Sequence, residues 1–170
     1  ASAENVDFSK NISDVPEMEI HLAGEHLIRS AVAAAAVGAK LDMSAEEISS
    51  TVKEIRPVPG RMNILRGRKG SILIDDTYNS STSAALAAIS TLCDIGDVST
   101  QRIAILGSMN ELGNFAKTEH EKVGAACSPE WLDVVITIGK KEKNYLAPVA
   151  EKNGCVVKSF ESAIDAGTFA

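Results

Sequence analysis

From residue 71 onward, short apolar runs alternate with stretches of helical character, and this alternation constrains the fold more than any other feature. Apolar segments at 71–74, 102–106, 133–138 and 155–157 are each followed by helical sequence starting near 84, 118, 143 and 161. Strand then helix, repeated, is the pattern of right-handed βαβ units on a parallel sheet, because each crossover helix returns the chain to the same end of the sheet. The run Ser71, Ile72, Leu73, Ile74 reads as a strand buried on both faces. The fold expected is α/β: a Rossmann-like parallel sheet with flanking helices, 72–74, 103–106 and 134–138 being central, preceded by a small helical unit.

That helical unit occupies the first third of the chain. Residues 24–39, GEHLIRSAVAAAAVGA, form a helix by alanine content, with Leu27, Ala31, Ala34 and Ala35 on one face. Ser44 with Glu47 three residues on is a capping box, opening a second helix to Ile55 on the spacing of Ile48, Val52 and Ile55. Residues 1–19 are polar with weak alternation and have room for a strand or two. Pro57, Pro59 and Gly60 then interrupt the pattern, which marks a hinge or domain boundary.

Composition removes several classes of function. With 170 residues and 45% hydrophobic content the chain can bury a core, while a net charge of -6 with scattered Lys and Arg argues against a nucleic-acid or anionic-membrane surface. Cys93, Cys127 and Cys155 lie in separate elements without CxxC spacing, so they read as reduced core thiols in a cytoplasm. The longest apolar stretch, 31–39, is too short to span a bilayer.

Chemistry concentrates where the 71–74 run ends, in Asp75, Asp76, Thr77, Tyr78, Asn79 and a block of hydroxyls. Ligands of open α/β sheets bind at the carboxyl ends of strands, so Asp75, Asp76, Tyr78 and Asn79 are candidate site residues. Ser81 and Thr82 suit the cap of the following helix. Two adjacent carboxylates repel unless a cation is near, and Arg61, at the hinge, can reach a phosphate or carboxylate bidentately. A further acidic possibility, a magnesium pocket on Asp75 and Asp76, lacks a third carboxylate. His26, near a helix start, is either ligand-facing or a solvated capping residue. The loop GSMNELG at 107–113 and Lys140 and Lys141 beyond Gly139 lie on the same edge. There is no GxGxxG fingerprint and no GxxxxGK[ST] phosphate loop.

PVPGRM at 57–62, DDTYN at 75–79 and LGSMNELGNFAKTEHEKVG at 106–124 together resemble the Mur ligases, whose patterns are G-R-M at a hinge, D-D-x-Y-N-A-N-P, and G-D-M-x-E-L-G with a downstream H-x-x-V-G. The helix at 24–38 is similar to the G-x-H-N-x-x-N-x-x-A-A element that closes that family's central ATPase domain. The resemblance implies that 1–58 is the C-terminal end of the central ATP-binding domain and 59–170 the C-terminal Rossmann-like domain, ending before its last strand and helix. It implies a cytoplasmic, monomeric ligase of peptidoglycan precursor synthesis. The reaction would use ATP and Mg2+, the ion's ligands lying mostly outside this stretch, to join a D-alanyl-D-alanine-like amine to a UDP-MurNAc-peptide through an acyl phosphate. By the same resemblance Arg61 acts on the phosphates as the catalytic group. Asp76, Tyr78, Asn79 and His26 bind the nucleotide, Asp76 at the ribose, while Asp75, Asn110, Glu111 and His120 bind substrate, and no residue ligates metal. The stretch alone is expected to be inactive. Leu27 and Ser30 stand where the family has asparagines, Ser81 and Thr82 replace N-P, and Ser108 replaces the Asp of G-D-M. These departures bear on the identity of the amine, and they keep a second reading open: a degenerate, non-catalytic nucleotide- or partner-binding module.

Overall fold

A computed structural model of the chain describes residues 18–97 and 99–170. These fall into two compact units, one of residues 18–22 and 26–57, the other of 23–25 and 58–170. The strands expected at 1–19 lie almost wholly outside the described residues, and 18–22 form no strand.

The first unit is a helical pair. Helix α1 (Glu25–Lys40) buries Ala31, Ala35 and Gly38, and α2 (Ala45–Lys53) buries Ile48 and Val52. Both bonds of the capping box form: Ser44 Oγ accepts from the Glu47 N–H and the Glu47 carboxylate accepts from the Ser44 N–H. Met18, Ile20, Leu22 and Ile55 pack against this small core. Ala34, expected on the buried face of α1, is exposed; the third contact position is instead Gly38, where a Cβ would come within 3.3 Å of Ile48 and 3.2 Å of Met43. The closest packing of the pair therefore falls a turn later on α1 than the alanine pattern suggested.

The second unit begins with a hairpin. Strand β1 (Asn63–Arg66) pairs antiparallel with β2 (Ile72–Asp75), and the connecting turn places Lys69 and Gly70 at positive φ. This corrects the sequence reading. Residues 72–74 form no ladder with the parallel sheet, and Ile72 and Leu73 are 56% and 51% exposed rather than buried on both faces. An apolar run of three residues does not distinguish a central strand from half of a hairpin, and the GRKG segment between two short apolar runs was the overlooked turn signal.

The parallel sheet has three strands, β3 (Ile103–Gly107), β4 (Val134–Ile138) and β5 (Val157–Phe160), with β4 in the middle. The unit is thus α/β, a parallel sheet with flanking helices α3 (Thr82–Asp94), α4 (Ala116–Ala126), α5 (Ala147–Lys152) and α6 (Ala163–Phe169). Val135, Ile136 and Thr137 of β4 have no exposed surface, as a strand covered on both faces requires. The core joins β3 and β4 to helices α3 to α5 through Ala104, Val135, Ile89, Val123, Leu146 and Ala150. Two elements differ from their expected form. The last strand starts at Val157 rather than Cys155, which is itself buried ahead of it. The helix after β4 opens with a five-residue π-turn, Glu142–Leu146. Cys93, Cys127 and Cys155 are unpaired thiols, and burial, with smaller effects from the other two thiols, pushes Cys127 up to about 12. Among the described residues no helix is long and apolar enough to cross a membrane.

Candidate functional site

Residues 60–62 and the segment after β2 are laced together by bonds to the main chain. Gly60 stands at φ +73 and its carbonyl accepts from the Tyr78 N–H at 3.0 Å; a Cβ there would lie 3.1 Å from both the Cβ and the N of Tyr78, so only glycine suits the position. Arg61 closes a turn back to the Val58 carbonyl at 2.9 Å. Met62, 2% exposed, adopts φ +50, a conformation unusual outside glycine, and its N–H donates to Asp76 Oδ1 at 3.0 Å. Asp76 thus holds a strained residue in place with one oxygen while the side chain stays half-buried.

This lacing brings Arg61, Asp75, Asp76 and Tyr78 together. The Arg61 guanidinium lies over the Tyr78 ring, 4.5 Å from its centroid, and Tyr78 is 73% exposed. Asp75 Oδ1 accepts from the Thr77 hydroxyl at 2.7 Å and from the Thr77 N–H at 3.3 Å. The Thr77 hydroxyl is the chief cause that holds the Asp75 carboxyl below the usual carboxylate range, with the Thr77 and Gly60 main chains adding to it against partial burial. The cation expected to offset the two carboxylates is not paired with them: N–H and O–H donors do that work, and Arg61 stacks on the tyrosine instead. Asn79 is exposed and caps the Ser80 N–H locally at 2.8 Å. Ser81 is the N-cap of α3, accepting from the Ala84 N–H.

The neighbouring loop at the carboxyl end of β3 carries Asn110 and Glu111, both exposed, with Glu111 at φ +62. Thr82, at the start of α3, donates to Glu119 of α4 at 2.6 Å and lies 3.7 Å from the Met109 sulfur, which ties the loops after β2 and β3 to one edge. Glu119 is held below the usual range by Lys122 first and Thr82 second. His120, expected at the substrate, is fully buried among the chain's own side chains. Its Nδ1 donates to the Ala116 carbonyl at 2.6 Å and its Nε2 faces Glu142 Oε1 at 2.8 Å. The other oxygen of Glu142 accepts from Ser108 Oγ at 2.7 Å. Sequence reasoning missed Glu142, because KKEKNY looks like a solvated charge run; the only local hint was Gly139, where a Cβ would lie 2.7 Å from both Glu142 and Ser108. His26 belongs to the first unit, exposed in the opening turn of α1. Among the described residues no group of three or more His, Cys, Asp or Glu could hold a metal ion.

Residues 60–168 match the domain family described as Mur ligase, glutamate ligase domain. The chain belongs to the Mur ligase family. It is 30% identical over 120 residues to the UDP-N-acetylmuramoyl-tripeptide--D-alanyl-D-alanine ligase of Escherichia coli, over 71% of this chain and 26% of that one. It superposes on a crystal structure of Mur ligase MurF from Acinetobacter baumannii with a TM-score of 0.74 at 27% identity, covering 89% of this chain and 32% of that one. MurF from Thermotoga maritima in complex with ADP shares the fold, with a TM-score of 0.63 at 24% identity over 81% of this chain and 35% of that one. The chain therefore spans between a quarter and about a third of the length of these Mur ligases.

Proposed function

We propose that this chain belongs to an ATP-dependent, amide-forming ligase of peptidoglycan precursor synthesis, which joins D-alanyl-D-alanine or a similar amine to a UDP-MurNAc-peptide. In this reading 1–58 is the end of the central ATP-binding domain and 59–170 the C-terminal domain that presents the amine and closes over the nucleotide. The observation that carries it is the clustering of Arg61, Asp76 and Tyr78 on a fold whose relatives bear that ligase's name.

The cluster's chemistry suits a nucleotide. Asp76 commits Oδ1 to Met62 and keeps its second oxygen for donors such as ribose hydroxyls. Arg61 makes no ion pair among the described residues, so its planar fork remains available to phosphate oxygens, and the Tyr78 face fixes its plane. ATP would supply the phosphoryl group that turns the acceptor carboxylate into an acyl phosphate, and Mg2+ would accompany the phosphates on ligands lying mostly outside this stretch. Arg61 then stabilises charge that develops during transfer, and enclosure by this domain keeps water from a hydrolysable intermediate. Asn110 and Glu111 stand on the adjacent exposed loop, where a carboxylate attracts the ammonium form of an incoming amine. The test is amine-dependent release of ADP and phosphate by the full-length protein given UDP-MurNAc-tripeptide and D-alanyl-D-alanine. Product carrying the added dipeptide is expected; ADP release that ignores the amine overturns the assignment. The 170-residue chain alone, which has no GxxxxGK[ST] loop, is expected to show no turnover.

A further inference from the structure

Glu142 is the one fully buried carboxylate among the described residues. Burying a carboxylate is unfavourable unless both its oxygens are satisfied, and here they are, by side chains from two other elements: His120 of α4 and Ser108 from the end of β3. The protons can be counted. His120 Nδ1 faces a carbonyl and must carry hydrogen, Ser108 donates its own, and a single proton lies between Nε2 and Oε1, so the pair is neutral overall whichever side holds it. Glu142 sits in the first turn of a π-turn, an irregularity common at functional sites. Gly139 at φ +113 leaves the space the carboxylate and the hydroxyl occupy.

The loop beyond β3 is therefore pinned from inside. Ser108 is bonded to Glu142, Met109 is 2% exposed, and Leu112 packs on the core, so Asn110 and Glu111 project between fixed points, Glu111 in a left-handed conformation that surrounding structure must hold. We propose that Glu142 is a positioning residue for the amine site: through Ser108 and His120 it anchors the root of the 108–112 loop and so fixes where Asn110 and Glu111 meet the amine. The proposal rests on the reading of this family member as an amine-adding ligase.

Glutamine at 142 can make the same two bonds, its amide nitrogen donating to a neutral His120 Nε2 and its oxygen accepting from Ser108, whereas alanine can make neither. In the full-length ligase, Glu142→Ala is expected to raise the KM for D-alanyl-D-alanine about tenfold, the scale of losing one ordinary hydrogen bond to the amine, with the KM for ATP unchanged. Glu142→Gln recovers most of that loss. Ser108→Ala, a milder cut that keeps the fold should Glu142→Ala not, shifts the same constant in the same direction by a smaller factor. Hydrogen exchange read at the amides of 109–112 is expected to quicken in Ser108→Ala while the amides of β4 hold. Equal rises in both KM values, or exchange in 109–112 that stays at the parent's rate, overturns the proposal. Faster exchange in a protein whose parent form ignores D-alanyl-D-alanine would leave the anchor standing and overturn the ligase reading instead.

Discussion

Two clusters at one edge of the second unit are built on opposite principles. Around residues 60–62, where the sequence marks a hinge, the side chains of Arg61, Tyr78 and Asn79 face solvent, and order comes from main-chain bonds and from residues held at positive φ, Gly60 and Met62. Beneath the 107–113 loop, order comes from side chains, with His120 and Glu142 at no exposure and each polar atom matched. Exposed charge–charge and cation–π contacts contribute about 1 kcal/mol or less, so the hinge cluster can exchange its contacts for a ligand's at little cost. A buried, fully matched set cannot be opened cheaply. In the proposed function the surface groups exchange partners with a ligand, while the buried set holds the neighbouring 108–112 loop.

The contrast predicts where substitutions act. The largest effect on folding falls at the inner cluster: His120→Ala strands Glu142 without its main partner and should lower unfolding stability by about 3–5 kcal/mol, measured by denaturant unfolding. Arg61→Ala should leave stability within about 0.5 kcal/mol yet reduce turnover of the full-length ligase about a hundredfold. Lysine recovers only part of that, since the planar fork that lies on Tyr78 is lost. Asp76→Ala should act mainly on the KM for ATP, by about 1.5–3 kcal/mol for bonds to a charged acceptor; because the same carboxylate holds the Met62 N–H, a smaller loss of stability should accompany it. Gly60→Ala, forced to keep φ +73 against Tyr78, should cost about 1–2 kcal/mol of stability. The smallest effect concerns acid. The Asp75 carboxyl lies below its ordinary 3.8 because Thr77 bonds the charged form, so its contribution is complete above about that pH and fades as pH falls through the lowered value. In Thr77→Val the Asp75 titration followed by NMR should return toward the ordinary value, and a titration that stays put would mean another donor is responsible.

Much of this was legible in sequence because the signals are local. The capping box at Ser44 and Glu47, the alanine-rich α1, the N-cap Ser81 and the βαβ alternation through β3, β4 and β5 each depend on residues a few positions apart. The gathering of Arg61, Asp76 and Tyr78 was not among these local signals: it comes from the hairpin that brings 60–62 and 76–78 together over a short loop, and the sequence pointed to those residues together only through the family resemblance. The same hairpin was misread as a central strand, because a short apolar run fixes neither its burial nor which strand supplies the partner.

The sequence by itself determined most of the helices, the strand–helix alternation through β3, β4 and β5 and the family, which follow from propensity, periodicity and short motifs, while the place of β4 in the middle of the sheet came from the structure. Only the tertiary structure decided that β2 pairs with β1, that Asp76 serves the backbone of Met62, and that His120 lies inside with Glu142 and Ser108. The physical reason is separation: Ser108 and Glu142 are 34 positions apart and His120 and Glu142 are 22 apart, and no local preference of a glutamate in a run of lysines favours burial. Its neutral partnership becomes favourable only once β3, α4 and the turn after β4 have packed and excluded the water that would otherwise solvate it.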